Sequence, residues 1–338
     1  MDTESRAEPL SSSCRISGPG ELLQAVPYLL GFHPADSLVL VGLRDGRLVV
    51  TARLDLGDAS LGGVVAHTLD AMVRGGSASV LAAIYDDSVA ADGPIRLDLS
   101  DLFIEAERAG CDLLEILLVA GGRWWSLLCA EPECCPPQGR ELPAEPSAFI
   151  TAATYDGVVA LPDRAALEAV LDPFPATDRG VLSPLVASAE DAAVAALLEG
   201  HARRLERSVK RAMFAVARES AAVGWSGPDD ATVTRFGVAL SGIAVRDAVW
   251  MAVDDGRLDG RPLWRDLARR LPAPYDAAPL FLFGWAAWRA GDGTLAGIAA
   301  ERAVASDPDY SAADLLLAAL SRGVDPRRLP KLRLPRSA

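Results

Sequence analysis

Lysine is almost missing from this chain: of its 33 basic residues only Lys210 and Lys331 are lysines. With Ala, Gly, Pro and Val abundant as well, the composition reads as the product of a GC-rich coding sequence rather than of a demand of the fold. A cationic surplus is missing too. Acidic residues number 46 and the formal net charge is -13, which argues against a nucleic-acid partner held by broad electrostatic attraction, because neutralising phosphates takes clustered positive charge. No apolar run approaches the ~20 residues that span a bilayer. The polar start MDTESRAEPLSSSC has no apolar segment before Cys14, so neither a signal peptide nor a lipoprotein leader is expected, no membrane is involved, and the location expected is cytoplasmic. Five cysteines are an odd number. In a reducing compartment they argue against a disulfide scaffold and leave free thiols, a metal site or a redox pair. A Walker phosphate loop, G-x-G-x-x-G, G-x-S-x-G and H-E-x-x-H are all absent, and with them the commonest enzyme signatures.

What is present is a chain of 338 residues, 50% of them hydrophobic, enough to fill the cores of about two domains. ISGPGELLQAVPYLLGF predicts a first helix with Ser17 as its cap, Pro19 in its first turn, an apolar face of Leu22, Leu23, Val26, Leu29 and Leu30, and an end near Gly31. Two β-rich runs, Leu38–Leu43 and Leu48–Leu54, flank Asp45-Gly46, a dipeptide that tolerates the positive φ of a tight hairpin turn. Helix-period residues then close on Gly75-Gly76, Ser79–Tyr85 reads as a buried strand, LDLSDLFIEAERAG as a helix, and Leu113–Val119 as another strand. Gly121-Gly122 turns that strand into its hairpin partner, RWWSLLC. Alternation of this kind predicts an α/β domain, a mixed sheet covered by helices.

Residues 140–180 are proline-rich and join two domains, with Asp163 capping RAALEAVL. From Ser188, where SAED sets Asp191 to reach back as a cap, the chain reads as helix, broken near Gly224–Pro228, Gly256–Pro262, Pro272–Pro274 and Gly291–Gly293. The expected organisation is a disordered 1–14, an α/β domain over 15–175, an all-α domain over 176–325 and a loose basic tail over 326–338. RRLERSVKR at 203–211 sets Arg203, Arg207 and Arg211 on one helical face, solvated or open to an acidic partner. Over Ala277–Tyr310, Leu280, Phe283, Gly284, Ala296, Ala300, Ala303 and Pro308 fall where a tetratricopeptide hairpin takes its large, small and stop residues. Gly284 and Ala296 would let the two helices approach closely. Ala287 and Ala300 replace the usual aromatics and no second clear copy follows, so either a single tetratricopeptide-like hairpin or a plain Ala-rich one fits.

Chemistry concentrates in RWWSLLCAEPECCPPQG, Arg123 to Gly139. On a strand Trp124 and Trp125 face opposite sides of the sheet, so one packs on the core while the other either offers a binding surface or is covered by a linker helix. Cys129, Cys134 and Cys135 form C-x4-C-C, stiffened by Pro136-Pro137. Three thiolates plus a fourth ligand from His33, His67, Cys111 or a carboxylate would suit zinc, although the spacing is not that of paired C-x2-C knuckles. A redox pair within the three, or plain half-buried thiols shaping a turn, fits as well. Two further binding candidates stand in loops: His33 in GFHPADSLV, and Tyr85 with Asp86 and Asp87 at the end of a buried strand, where α/β sheets commonly place ligand loops.

The blocks AVPYLLGFHPADSLVLVGL, GRWWSLLCAEPECCPPQG and GWAAWRAGDGTLAGIAAERAVASDPDYSAADLLLAAL resemble those of an actinobacterial family catalogued only as a domain of unknown function. That resemblance implies a two-part cytosolic protein and brings no activity or cofactor with it. The function expected is an interaction or regulatory protein whose helical half engages a protein partner, with the Trp and Cys edge as a second, thiol-sensitive site. The competing expectation is a thiol- or metal-dependent hydrolase using Cys134 or Cys135 with His33 or the Asp86/Asp87 pair.

Overall fold

The computed structural model describes residues 16, 18–59, 63–89, 97–175 and 180–332. The expected disordered start, the Ser17 cap and residues 333–338 of the basic tail therefore lie outside the described residues. Two compact units emerge, Met1–Leu167 with Ser321–Val324, and Glu168–Leu320 with Asp325–Ala338. The division falls at Leu167/Glu168 rather than near residue 175.

In the first unit, helix α1 (Pro19–Leu30) begins with proline in its first turn and stops at Gly31, whose φ of 83° continues no helix. Strands β1 (Ser37–Arg44) and β2 (Arg47–Asp55) meet at Asp45 and Gly46, with φ of 52° and 71°, the pair of positive values a two-residue hairpin turn requires. Then follow α2 (Leu56–Ala59), α3 (Gly63–Gly75), β3 (Ser79–Tyr85), α4 (Leu99–Ala109), β4 (Asp112–Ala120), β5 (Arg123–Ser126) and β6 (Arg140–Glu141). Asp98 caps α4 by accepting from Ser100 N at 2.9 Å.

The described strands form one sheet in the order β2-β1-β3-β4-β5-β6. β3 and β4 run parallel through the α4 crossover, and every other neighbouring pair is antiparallel. Alternation sends Leu38, Leu40, Val80, Ala82, Ile84, Ile116 and Leu118 to one face, where they pack with Val65, Leu69 and Met72 of α3 and Leu102 and Ala106 of α4. Val39, Val41, Ala83, Leu117 and Val119 bury the other face. On that side Phe32 lies beneath the Arg53 guanidinium, 6.0 Å from ring centre to Cζ, and pairs with Leu161 in an isolated parallel bridge. A helix not anticipated in the proline-rich stretch, α5 (Ala148–Tyr155), is capped by Ser147, and α6 (Arg164–Ala169) by Asp163, which accepts from Ala166 N at 2.7 Å.

The second unit is all helix: α7 (Ser183–Leu198), α8 (Ala202–Glu219), α9 (Asp230–Ser241), α10 (Ile243–Asp254), α11 (Arg261–Arg270), α12 (Ala277–Arg289), α13 (Gly293–Ser306) and α14 (Ser311–Ser321), whose last residue counts with the first unit. α7 begins at Ser183-Pro184 rather than at Ser188. Proline in the first turn starts it without a side-chain cap, which leaves Ser188 and Asp191 inside the helix. Arg203, Arg207 and Arg211 on α8 are exposed.

The core of this unit is aromatic. Trp250 meets Phe281 and Trp285 edge to face at 4.9 and 5.0 Å, and Trp288 adds a third indole 5.1 Å from Trp285. α12 and α13 approach where expected: a Cβ on Gly284 would lie 3.1 Å from both Ala296 O and Ala299 Cβ. As far as Leu332 the basic tail is not a loose end. Its turn at Pro326 accepts from Arg289, Lys331 Nζ donates to Asp255 O at 2.9 Å, and Leu332 N donates to Asp254 Oδ2 at 2.6 Å. Among the described residues no single helix is long and apolar enough to cross a membrane; the apolar pair α9 and α10 is bent by 99°.

Candidate functional site

The three thiols of the C-x4-C-C stretch meet in space. Cys129 and Cys135 are half-buried and Cys134 is exposed, and their Sγ atoms all lie within 4.8 Å of one another. The sequence brings them together through a turn at Glu131, whose carbonyl accepts from both Cys134 N and Cys135 N at 3.1 and 2.7 Å. Side chains of the sheet edge then tie the loop down. Arg123 donates through Nε to Gln138 O at 2.8 Å and through Nη2 to Gly139 O at 3.0 Å, Trp125 Nε1 donates to Pro137 O at 2.9 Å, and Arg140 Nε donates to Cys134 O at 2.6 Å. Ser126 Oγ accepts from Cys129 N at 3.0 Å while donating to Glu115. The loop is held by its backbone, which leaves all three sulfurs available for chemistry.

Those sulfurs are electrostatically distinct. Glu131 N–H donates to Cys129 and the Cys135 and Cys134 thiols turn toward it, so the Cys129 thiol sits below the ordinary thiol range. The thiol of Cys135, donating to Cys129, is pushed up to about 11. Of these two thiols Cys129 gives up its proton first, the usual condition for a nucleophile or a metal ligand.

The two tryptophans do not form an open surface. Trp124 is buried opposite Val119, and Gly20 of α1 approaches its Nε1. Trp125 packs against the core cluster on the α3 and α4 side, and its cover is the cysteine loop itself rather than a linker helix. Arg123 is likewise absorbed, with Nη1 on Glu141 Oε1 at 3.0 Å.

The remaining candidates lie elsewhere. Tyr85 pairs with Ser37 and with Val119, so β3 and β4 end together beside the start of β1. Asp86 is buried and accepts from Ser88 N and Oγ at 3.0 and 2.6 Å, while Asp87 Oδ1 accepts from Gly121 N at 2.8 Å. Both close turns. The Tyr85 hydroxyl is buried with no hydrogen-bond partner among the described residues, and burial raises its pKa. His33, exposed before β1, is fixed through its backbone N on Leu161 O at 2.9 Å. β5 runs away from this end of the sheet, from Arg123 opposite Ala120 to Ser126 opposite Leu117, and the cysteine loop follows Ser126. The loop leaves β5 after Ser126, opposite Leu117, and returns through β6 at Arg140, opposite Trp124; the cluster of three sulfurs includes neither His33 nor Asp86 or Asp87.

Nor does a fourth ligand come from the anticipated residues. Cys111 is buried in the sheet core, His67 Nε2 lies 3.1 Å from Ser321 O, and among the described residues no histidine or carboxylate oxygen joins the three sulfurs. Sequence reasoning missed Ser126, Glu131, Gly139 and Arg140. Gly139 alone carried a signal, a glycine closing a proline-stiffened loop.

Fold and site together define a two-unit chain, a mixed α/β sheet with a thiol-bearing edge followed by a helical unit. The chain belongs to the family described as Domain of unknown function (DUF4192), whose model matches residues 19–327. Comparison with curated proteins gave no match, and comparison with solved structures gave none.

Proposed function

We propose that this is a cytoplasmic regulatory protein, from the actinobacterial source its arginine-rich composition suggests, in which the three-thiol loop is the responsive element and the helical unit docks a protein partner. The convergence of Cys129, Cys134 and Cys135 on a backbone-anchored loop carries the reading. A loop kept only for packing has no need of three sulfurs in mutual contact at the surface, whereas a responsive element needs thiols that are exposed, unequal in acidity and close enough to bond together.

Support for docking comes from α7. That helix buries Val186 but leaves Val194, Leu197 and Leu198 exposed, 82% in the case of Leu198, and apolar side chains gathered on one turn favour a protein partner over solvent. The tetratricopeptide-like pair α12 and α13 would serve as rigid support at one remove, through α9, which packs on both α7 and α12. A nucleic-acid partner runs against the net charge of -13.

The test compares proteins captured by the full-length chain reduced, oxidised with oxidised glutathione, and as the Leu197→Asp/Leu198→Asp variant. A partner that is lost in the variant and whose capture changes with oxidation supports the reading. Identical capture in all three overturns it.

A further inference from the structure

We propose that the Cys129/Cys134/Cys135 loop is a zinc site, three protein thiolates with the fourth coordination position left to water. This deepens the thiol-responsive reading by naming the ligand of the same loop. Three observations carry it: the mutual distances of the sulfurs, the anchoring of the loop, and the chemistry of its surroundings.

Zinc takes sulfur at about 2.3 Å in tetrahedral geometry, which sets ligand sulfurs about 3.8 Å apart. The Sγ atoms already lie within 4.8 Å of one another. A contraction of no more than about 1 Å, within reach of side-chain rotation at the exposed Cys134, completes three corners of a tetrahedron.

Anchoring is the second observation. Metal sites gain affinity when ligand-bearing backbone is fixed by outer hydrogen bonds. Here Ser126 Oγ holds Cys129 N, Arg140 holds Cys134 O, and Glu131 O holds the amides of both Cys134 and Cys135. None of these bonds uses a sulfur, so all would persist with a metal bound. The Glu131 N–H that turns toward Cys129 Sγ would go on stabilising a coordinated thiolate.

The surroundings choose the ion. An all-sulfur donor set favours a thiophilic metal over magnesium or calcium, which take oxygen. Glu131 and Glu133 in the same loop favour a cation over an anion. With no fourth protein ligand among the described residues, the fourth position is open, the arrangement of zinc sites that exchange a ligand rather than only hold a fold.

The experiment uses the full-length chain carrying Cys14→Ser and Cys111→Ala, so that only loop thiols remain, reduced and kept free of oxygen. Zinc is titrated against a chromophoric chelator, and Co(II) serves as a spectroscopic stand-in. One zinc per chain is expected, with sulfur-to-cobalt charge-transfer absorption and the intense visible bands of a four-coordinate ion. Adding Cys129→Ser, Cys134→Ser or Cys135→Ser should each weaken zinc binding by at least about 100-fold, more than outer-shell changes do, while the thermal melting of the metal-free variants stays that of the parent.

Zinc affinity that survives the Cys134→Ser/Cys135→Ser double change overturns the site, and so does failure to compete with the chelator. If zinc fails to bind but oxidised glutathione, reduced to two free thiols as it bonds Cys129 to Cys135, still alters partner capture, the zinc inference falls and the thiol-responsive reading stands. If zinc binds and partner capture ignores the loop, the reverse holds.

Discussion

Gly139 lies against the indole of Trp125 so closely that a Cβ there would sit 2.4 Å from the ring. The same ring donates from Nε1 to Pro137 O, so one tryptophan on the sheet edge holds the closing turn of the cysteine loop from two sides. The loop owes its shape to this packing as much as to its prolines.

Replacing Gly139 by alanine tests that dependence. The residue has a φ of 71°, where a side chain is strained, and its neighbour is a ring that cannot yield without leaving the core. We expect a loss of about 1–3 kcal/mol of stability, read as a lower urea midpoint, together with faster labelling of Cys134 and Cys135. Gly121→Ala, also at positive φ but with open space around it, should cost about 1–2 kcal/mol and leave the labelling rates unchanged. Equal labelling in both variants would show that Trp125 does not control the loop.

The unequal acidities of the thiols predict an order of reaction. Under iodoacetamide at rising pH, Cys129 should be labelled before Cys135, which keeps its proton until about 11. Cys135→Ala removes a donor to Cys129 and should move the Cys129 labelling profile to higher pH. The sign for stability follows from the same shifts. The contribution of Cys129 is present above the unfolded thiol pKa and fades as pH falls through its lowered value; that of Cys135 is present below the unfolded pKa and is lost as pH rises through about 11. Relative to a Cys129→Ala chain, the wild-type advantage should peak near the unfolded thiol value of about 8.5 and decline on both sides. An advantage that keeps climbing beyond that value would contradict the assignment.

The elements that sequence revealed are those whose signals are local. Asp45-Gly46 and Gly121-Gly122 announce hairpins because positive φ is written into their residue types, and the two strands beside the α4 crossover stand out because both of their faces are apolar. Ser188 misled because a capping pattern inside a helix looks the same as one at its start, while the true start at Ser183-Pro184 has no side-chain cap to recognise. The thiol site was legible as a cluster of residue types, not as a geometry. That Arg123, Ser126 and Arg140 hold the loop by its backbone depends on strand pairing across β4, β5 and β6, which no single stretch encodes. Where His33 and Asp86 stand relative to the cysteines is likewise set by strand pairing, which no single stretch encodes.

Buried charge in the helical unit makes a further prediction. Asp254, only 5% exposed, accepts from Trp285 Nε1 at 3.0 Å, Arg289 Nε at 2.7 Å and Leu332 N at 2.6 Å. Asp254→Ala leaves a largely buried guanidinium without its anion, a change that costs about 3–5 kcal/mol. Guanidinium denaturation followed by tryptophan fluorescence should show that loss. The same variant frees the chain end, so trypsin should cut at Arg328 and Lys331 faster than in the wild type. Unchanged cleavage would mean that the tail is held by its other contacts alone.

The close approach of α12 and α13 can be tested at Gly284. Helical glycine is normally a liability of about 1 kcal/mol relative to alanine, yet here a Cβ would meet Ala296 O and Ala299 Cβ at 3.1 Å and Leu316 Cδ2 at 3.3 Å. For alanine the gain in helix propensity and the crowding should nearly cancel, giving a midpoint close to that of the wild type. Valine adds two methyls to a site with backbone on one side, so the helices must separate, and overpacking of this kind costs about 1–3 kcal/mol. A Gly284→Val chain as stable as Gly284→Ala would mean that the pair yields easily. It could not then act, through α9, as rigid support for α7, and the docking reading would lose that part of its structure.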